Sequence, residues 1–410
     1  MSLSEFNKKI KSQRKIYWLL REWYVVFYIT FSRWLDRPAS NSKKRILFYH
    51  DDILGFGGTE KFLQILAKYL NKEKYDVYLL YKNFREIKSG YGERLNYVRE
   101  GGVITVPFDL KEKNPNPPFF IKGMNPEIKK LLKTLKINLL VVAGTGAALY
   151  PFSAIKNIPI ILLNIFGQPN VQDNIRFHLC ISKEVAAKLS PIVPENKIKV
   201  LPVPSERPPA ESKKMGEDLR RQFNIKETDM VFGRIGRTDN GIFDKIGIGA
   251  FKKVVAENPT AHYLIMSPPS KLKEIVQQEG IPNVHFLPSS SSEKDIWAFH
   301  QSIDALAHFR HDGESFGLNI VESMLCGKPI ITHRSHIWNA QLEYLEPTFS
   351  RVADKDDAEQ YANFMEEFIQ LKKAGRLEAL GEAARQKAER FLIENNISRF
   401  EKWLDESVVK

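Results

Sequence analysis

From Lys44 onward, short runs of β-branched and other apolar residues alternate with longer stretches whose apolar positions recur every three or four residues. Runs of the first kind predict buried strands and stretches of the second kind amphipathic helices. In the first half, Arg45–Tyr49, Asp76–Tyr81, Val103–Val106, Leu139–Ala143 and Pro159–Leu163 read as strands, and Thr59–Leu70, Pro126–Leu135 and Glu184–Leu189 as helices. Strands that are apolar along their whole length are covered on both faces, and their alternation with helices makes the sheet parallel. Between Leu201 and Ser212 stand Pro202, Pro204, Pro208 and Pro209, which no helix or central strand tolerates, so this stretch reads as a linker.

The same pattern then restarts. Met230–Arg234, His262–Met266, Val284–Leu287, Ala305–His308 and Pro329–Thr332 predict strands; Ile246–Glu257, Lys271–Glu279, Glu293–Gln301 and Leu318–Cys326 predict the helices between them. From Asp354 the chain reads as helical, with Ile397, Phe400, Trp403 and Leu404 as an apolar stripe. The expected divisions are a basic and aromatic segment at 1–42, a first Rossmann-like domain at 43–204, a second at 205–375, and C-terminal helices at 376–410 that return to the first domain. Two open parallel sheets in tandem aim the carboxyl ends of their strands at one cleft between the domains, where ligands bind.

The first segment differs in kind. Lys8, Lys9, Lys11, Arg14 and Lys15 precede Ile16–Phe31, which is rich in Trp, Tyr, Phe and Val but carries Arg21 and Glu22. Spanning a bilayer takes about 20 apolar residues, and a cleaved leader needs a small-residue site that does not follow here. A helix from Lys9 to Leu35 would instead lie in the interface, with Trp18, Trp23 and Trp34 at headgroup depth. Residues 1–37 are therefore expected to meet an anionic membrane surface, the alternative being that their aromatic face packs on protein.

Composition adds little to the fold but narrows the partner. The formal charge of +12 over 410 residues favours an anionic ligand. The basic residues are scattered and no nucleic-acid recognition motif accompanies them, which leaves a phospholipid surface or a phosphorylated small molecule. Two cysteines, Cys180 and Cys326, have no paired spacing, which suits a reducing compartment: the cytoplasm, with the protein peripheral on the membrane.

The chemistry concentrates in Arg310–Thr332, RHDGESFGLNIVESMLCGKPIIT. Glu314 stands in a loop after a strand, and Phe316, Gly317 and Leu318 present backbone N–H groups at a helix start, an anion site by geometry and dipole. Gly327 followed by Lys328-Pro329 stops the helix. Glu322 lies eight residues after Glu314, a rise of about 12 Å were the intervening residues helical.

This segment resembles the Glu-x7-Glu motif of the retaining glycosyltransferases with the two-domain GT-B fold, glycosyltransferase family four, whose usual form is E-G-F-G-L-x-x-x-E-A-M-A-C-G-x-P-V. The resemblance implies that Glu314 faces the donor sugar and Glu322 the ribose. Three further segments match in order: Gly55 to Glu60, GFGGTE, resembles the Gly-Gly-x-Glu loop, which implies donor contact for Gly57 and Gly58; Leu201 to Pro204 resembles the Ile-Pro-Asn-Gly hinge but lacks the Asn-Gly; Gly233-Arg234-Ile235-Gly236-Arg237 with Lys245 resembles the strand-end Gly-Arg and downstream Lys that neutralise a leaving diphosphate. The spacing departs from the family's usual pattern, Lys245 standing eight residues after Arg237 and eleven after Arg234; Arg237 and Lys245 are the favoured pair, with Arg234 the alternative. Where the family often has a histidine after a first-domain strand, this chain has Ile160 to Gly167, with Asn164 a candidate substitute and His178 nearby.

What the resemblance implies is transfer of a sugar from a UDP- or GDP-linked donor to a glycan or lipid-linked acceptor, with retention, by a hexosyltransferase-type enzyme of polysaccharide biosynthesis. No Asp-x-Asp motif stands at a strand end, so no metal and no cofactor is expected; Arg237, Lys245 and the helix start take the metal's place at the diphosphate. The rival readings are a nucleotide-sugar 2-epimerase of the same fold and a non-catalytic nucleotide-sugar-binding protein.

Overall fold

The computed structural model describes residues 43–82, 90–108, 126–144, 155–290 and 292–408. The membrane-surface segment expected at 1–37 lies outside them. The first sheet is built from β1 (Lys44–Tyr49), helix α1 (Gly58–Tyr69), β2 (Tyr75–Lys82), helix α2 (Tyr91–Glu100) and β3 (Ile104–Phe108). It continues through helix α3 (Pro126–Thr134), β4 (Leu139–Gly144), β5 (Ile160–Asn164), β6 (Ile175–Cys180), helix α4 (Lys183–Leu189) and β7 (Ile198–Val200). Its seven strands run in the order β3-β2-β1-β4-β5-β6-β7. The pairings β1 with β4 and β4 with β5 are parallel, and Leu139, Leu140, Val141 and Val142 at the centre are fully buried, as expected of a strand covered on both faces.

The second sheet follows helix α5 (Ser212–Gln222) and comprises β8 (Met230–Ile235), helix α6 (Ile246–Glu257), β9 (Ala261–Met266), helix α7 (Ser270–Gln278), β10 (Val284–Leu287), helix α8 (Glu293–Ser302) and β11 (Ala305–Ala307). Then come β12 (Gly313–Glu314), helix α9 (Leu318–Leu325), β13 (Ile330–His333), β14 (Trp338–Asn339) and β15 (Ser350–Ala353). Helices α10 (Ala358–Lys373), α11 (Leu377–Ala388) and α12 (Ile397–Ser407) close the chain. The six-stranded order is β10-β9-β8-β11-β13-β15, with β12 and β14 paired apart. Both orders reverse at one point, between β1 and β4 and between β8 and β11, and such reversals open the crevices in which open α/β sheets bind ligands.

Helix α2 and strands β6, β7 and β15 are additions to the pattern expected of the sequence, and helix α5, the pair β12–β14 and the C-terminal return also depart from it. Helix α5 lies between the expected linker, which ends at Ser212, and the strand expected at Met230, where the pattern assigns no element because SKKMGEDLRRQ has almost no apolar face; it packs through Gly216, where an added Cβ would lie 2.6 Å from Gln301 on α8. The pair β12–β14 is two residues long on each side, too short to show periodicity. The C-terminal return starts later than residue 376: α11 packs on α9, and only after Phe391 does the chain pair with Ser205 of the linker, through Ser205 N to Phe391 O and Ile393 N to Ser205 O, both 2.9 Å. Helix α12 then lies on the first sheet's side, where Trp403 meets Phe177 at 6.0 Å and Tyr75 Oη donates to Asp405 at 2.8 Å. Among the described residues no helix is long and apolar enough to cross a membrane.

The approach of α11 to α9 sets up a pair of opposed outcomes. An added Cβ at Gly381 would lie 2.1 Å from the carbonyl oxygen of Gly327, whereas Gly249 in α6 has open space around it. Gly381→Ala should therefore destabilise by about 1–3 kcal/mol despite its better helix propensity, and Gly249→Ala should stabilise by about 0.5–1 kcal/mol. Denaturant melts of both variants check the two signs.

Candidate active site in the cleft

The loops at the carboxyl ends of β1, β8 and β11 meet at a cavity of about 950 Å³, at the upper end of the roughly 300–1,000 Å³ usual for small-molecule sites. From the first sheet's side it is lined by His50, by Phe56 and by the first turn of α1 with Gly57, Gly58 and Lys61. From the second it is lined by Arg237, Arg310, and Glu314 through Leu318, with Glu322 behind them. Helix α1 starts at Gly58 and α9 at Leu318, so two helix N-termini with first-turn N–H groups lacking intrahelical partners face one space.

The turn before α9 is built by its glycines. Gly313 has φ +71° and an added Cβ there would lie 1.8 Å from the Trp338 carbonyl; Gly317 has φ +91° and caps α9. At the far end Gly327, φ +70°, donates to Met324 O at 2.9 Å and Lys328 N to Ser323 O at 3.0 Å, the paired bonds of a Schellman stop. Phe316 packs against Tyr344 and Phe391, both at 5.6 Å, so the returning C-terminal segment braces this loop from behind. The chain is helical only from Leu318 to Glu322, with strand and turn before it, so the 12 Å helical rise expected between the carboxylates does not apply.

Glu314 is held by the segment just upstream. His308 Nε2 lies 3.1 Å from Glu314 Oε1, and Arg310 Nη1 lies 3.7 Å from the same oxygen. Asn319 Nδ2 faces His308 Nδ1 at 3.3 Å and also donates to Ile235 O at 3.0 Å. This pattern assigns the hydrogen of His308 to Nε2, the nitrogen nearest the carboxylate. Burial pushes the Glu314 carboxyl up, but the His308 hydrogen bond and the charges of Arg310 and Arg237 outweigh it, and its pKa settles below the ordinary carboxylate value.

Glu322 has partners from across the cleft. Lys61 Nζ, on α1, donates to Glu322 Oε1 and, at 2.9 Å, to Glu293 Oε2 at the start of α8. Arg94 Nη2, on α2, lies 2.5 Å from the other oxygen of Glu293, and His300 Nε2 lies 3.5 Å from Glu322 Oε2. Lys61, Arg94 and Glu322 are 5%, 1% and 4% exposed, so this is a buried ion cluster joining both halves of the molecule. Burial opposes every charge in it, yet Lys61 is raised and Glu293 and Glu322 are lowered, because each faces an opposite charge.

Of the residues singled out from the sequence, Gly57, Gly58, Arg237, Glu314, Phe316, Gly317, Leu318 and Glu322 all line this one cavity. Lys245 does not: it sits exposed at the start of α6, outside the lining. Arg234, the alternative to Arg237, is 1% exposed beneath the site, stacked 4.9 Å over Phe309, and burial lowers its guanidinium to about 10. Asn164 is committed to its own turn, accepting from Gly167 N at 2.7 Å and donating to Gln168 O at 2.8 Å, and His178 is buried with Nε2 2.9 Å from Asn170 O. The first-sheet histidine that does line the cavity is His50, at the end of β1 and 3.4 Å from Glu60.

Sequence reasoning missed His50, Lys61, Arg94, Glu293, His300, His308 and Arg310. Arg310 and His308 lie within a few residues of Glu314 and their polar side chains were a readable signal; the others depend on contacts between distant segments. It also missed the rim, where Phe166 of the first half meets Trp338 of the second at 5.9 Å and Glu343 accepts from Lys183 N and Glu184 N at the start of α4.

Residues 216–387 match the family described as Glycosyl transferases group 1. No curated protein sequence matches the chain. Among solved structures, a glycosyltransferase from Rickettsia africae superposes with a TM-score of 0.70 at 14% identity, covering 90% of this chain and 99% of that one. Anabaena HepE in complex with UDP and glucose gives 0.68 at 18% identity, covering 88% and 100%. The sucrose-phosphate synthase of Thermosynechococcus elongatus gives 0.66 at 14% identity, covering 89% and 99%. These likenesses establish the architecture, which is GT-B.

The hold on Glu314 has a pH signature. Its folded pKa lies below the unfolded value of about 4.3, so its contribution to stability is complete above that value and is lost as pH falls through the folded pKa. His308→Ala leaves burial opposed by Arg310 and Arg237 alone and should move this loss to higher pH. Melting temperatures of the two proteins followed down the acid range should diverge well before the wild type begins to fall.

Proposed function

We propose that this protein is a retaining glycosyltransferase of family four that moves a hexosyl unit from a nucleotide diphosphate sugar to a glycan or lipid-linked acceptor without a metal. The observation that carries the reading is the convergence of Glu314, Arg237, Arg310 and the N-terminus of α9 on one cavity, inside the region that matches Glycosyl transferases group 1. As the bond from the anomeric carbon to the diphosphate oxygen breaks, negative charge grows on the diphosphate and positive charge on the sugar ring. Arg237, Arg310 and the unpaired N–H groups of α9 face the first; the Glu314 carboxylate, kept ionised by His308 and Arg310, faces the second.

A UDP-linked donor is the first to try, since HepE is described with UDP and glucose. Glu314→Gln should lower turnover by roughly a hundredfold while donor affinity stays near that of the wild type, because the charge matters most in the transition state. Activity should persist in EDTA, and the anomer formed, read by proton NMR, should keep the donor's configuration. Release of a rearranged sugar from donor alone, with no acceptor, would instead identify an epimerase. Binding without turnover would identify a sensor.

The basic and aromatic segment at 1–37 supports a place at an anionic membrane surface, beside a lipid-linked acceptor. The full chain should sediment with vesicles containing anionic lipid and be released by salt. Failure to sediment would remove the membrane from this reading and leave the sugar chemistry intact.

A further inference from the structure

We propose that Lys61 is a cross-cleft positioning residue: reaching from the first half of the molecule, it keeps the Glu322 carboxylate of the second half charged and aimed, so that a nucleotide's ribose is recognised only when both halves face each other. The inference rests on the donor reading above, in which Glu322 takes the ribose hydroxyls. It goes further in assigning the state of that carboxylate to a residue of the opposite domain.

The geometry is specific. Lys61 lies immediately after Glu60 on the first turn-and-a-half of α1, and its ammonium lies between two carboxylates of the second half, Glu322 on α9 and Glu293 on α8. The groups that face Glu322 are Lys61 from α1, Glu293 and His300 from α8, Arg94 from α2 acting through Glu293, and the Cys326 thiol at the end of α9 itself. With Lys61 and Arg94 cationic and both glutamates ionised, the cluster is neutral. Removing Lys61 leaves one guanidinium against two buried carboxylates, and a buried uncompensated charge takes up a proton instead.

A ribose diol donates two hydrogen bonds and needs an ionised carboxylate to accept both; a protonated carboxyl has lost half of that capacity. His300, with Nε2 3.5 Å from Glu322 Oε2 and Nδ1 taken by Ser323 Oγ at 2.7 Å, also favours the ionised carboxylate, but less than the Lys61 ammonium does. Glu322 and Lys61 both line the cavity, so the pair stands where a ligand reaches it.

The test compares UDP and GDP with their 2′,3′-dideoxy counterparts by calorimetry on wild type, Lys61→Met and Lys61→Arg. The wild type should prefer the ribonucleotide by roughly tenfold or more, the worth of a hydrogen bond to a charged group. Lys61→Met should lose most of that preference at neutral pH and regain it as pH rises and Glu322 ionises, with dideoxy binding unchanged; Lys61→Arg should keep it throughout. Equal weakening of both nucleotides at every pH would show a purely structural lysine and overturn the proposal. Should neither nucleotide bind the wild type, the donor reading fails, and stability decides the pair by itself. Lys61→Met/Glu322→Gln should then melt above Lys61→Met, because the unpaired buried carboxylate is gone, and losses that simply add would sink the coupling.

Discussion

Two carboxylates kept ionised inside a closed-in cleft set the terms for the structure around them. Taking a carboxylate out of water costs several kcal/mol, and the cost is tolerable only where an opposite charge and fixed donors are already in place. Glu314 and Glu322 sit on one short segment, yet their partners come from different parts of the chain. Glu314 takes His308 and Arg310 from the end of β11, while Glu322 takes Lys61 from α1 and faces His300 from α8. The first set holds within the second sheet's own loops. The second exists only because the two sheets meet.

That meeting is secured away from the charges. Ser205 pairs with Phe391 and Ile393 where the linker and the returning segment run side by side, and Phe391 continues into the aromatic group of Phe316 and Tyr344 under the α9 loop. At the rim, the Glu343 carboxylate caps the start of α4 through Lys183 N and Glu184 N, and Phe166 rests against Trp338, whose ring also carries Lys188 at 3.2 Å. The cleft thus has an apolar brace behind it and a polar and aromatic seam at its edge, with the ion cluster between. The Lys61–Glu322 contact that joins the two halves lies at the cavity itself.

Glycines mark where backbone must come close enough for this to work. The positive φ at Gly313 and Gly317 turns the chain from β12 into α9 and leaves the first-turn N–H groups open to the cavity. Gly327 stops the same helix and lies against Gly381, so the helix that carries Glu322 is located at both ends by contacts no larger residue permits. Gly236, beside Arg237, lets the loop after β8 pass close over the buried Arg234 guanidinium.

The alternation of apolar strands with amphipathic helices was enough to show two parallel sheets and most of their strands, though not β6, β7 or β15, because strand burial on two faces shows directly as uninterrupted runs such as Leu139–Ala143. The start and stop of α9 were legible too, since Gly317, Gly327 and Pro329 act through backbone geometry that is local to them. Glu314, Glu322 and Arg237 followed from spacing and resemblance, and they do share one cavity. What the sequence left open were features decided by neighbours in space. Helix α5 declares itself only through its backbone contact with α8, Lys245 is carried to the outside while Arg310 takes a place at the cavity, and Lys61 finds Glu322 across 261 positions of chain. Periodicity and capping are written by residues within a turn or two of each other, whereas the compensation of a buried charge is written by whichever segments the tertiary fold brings to it.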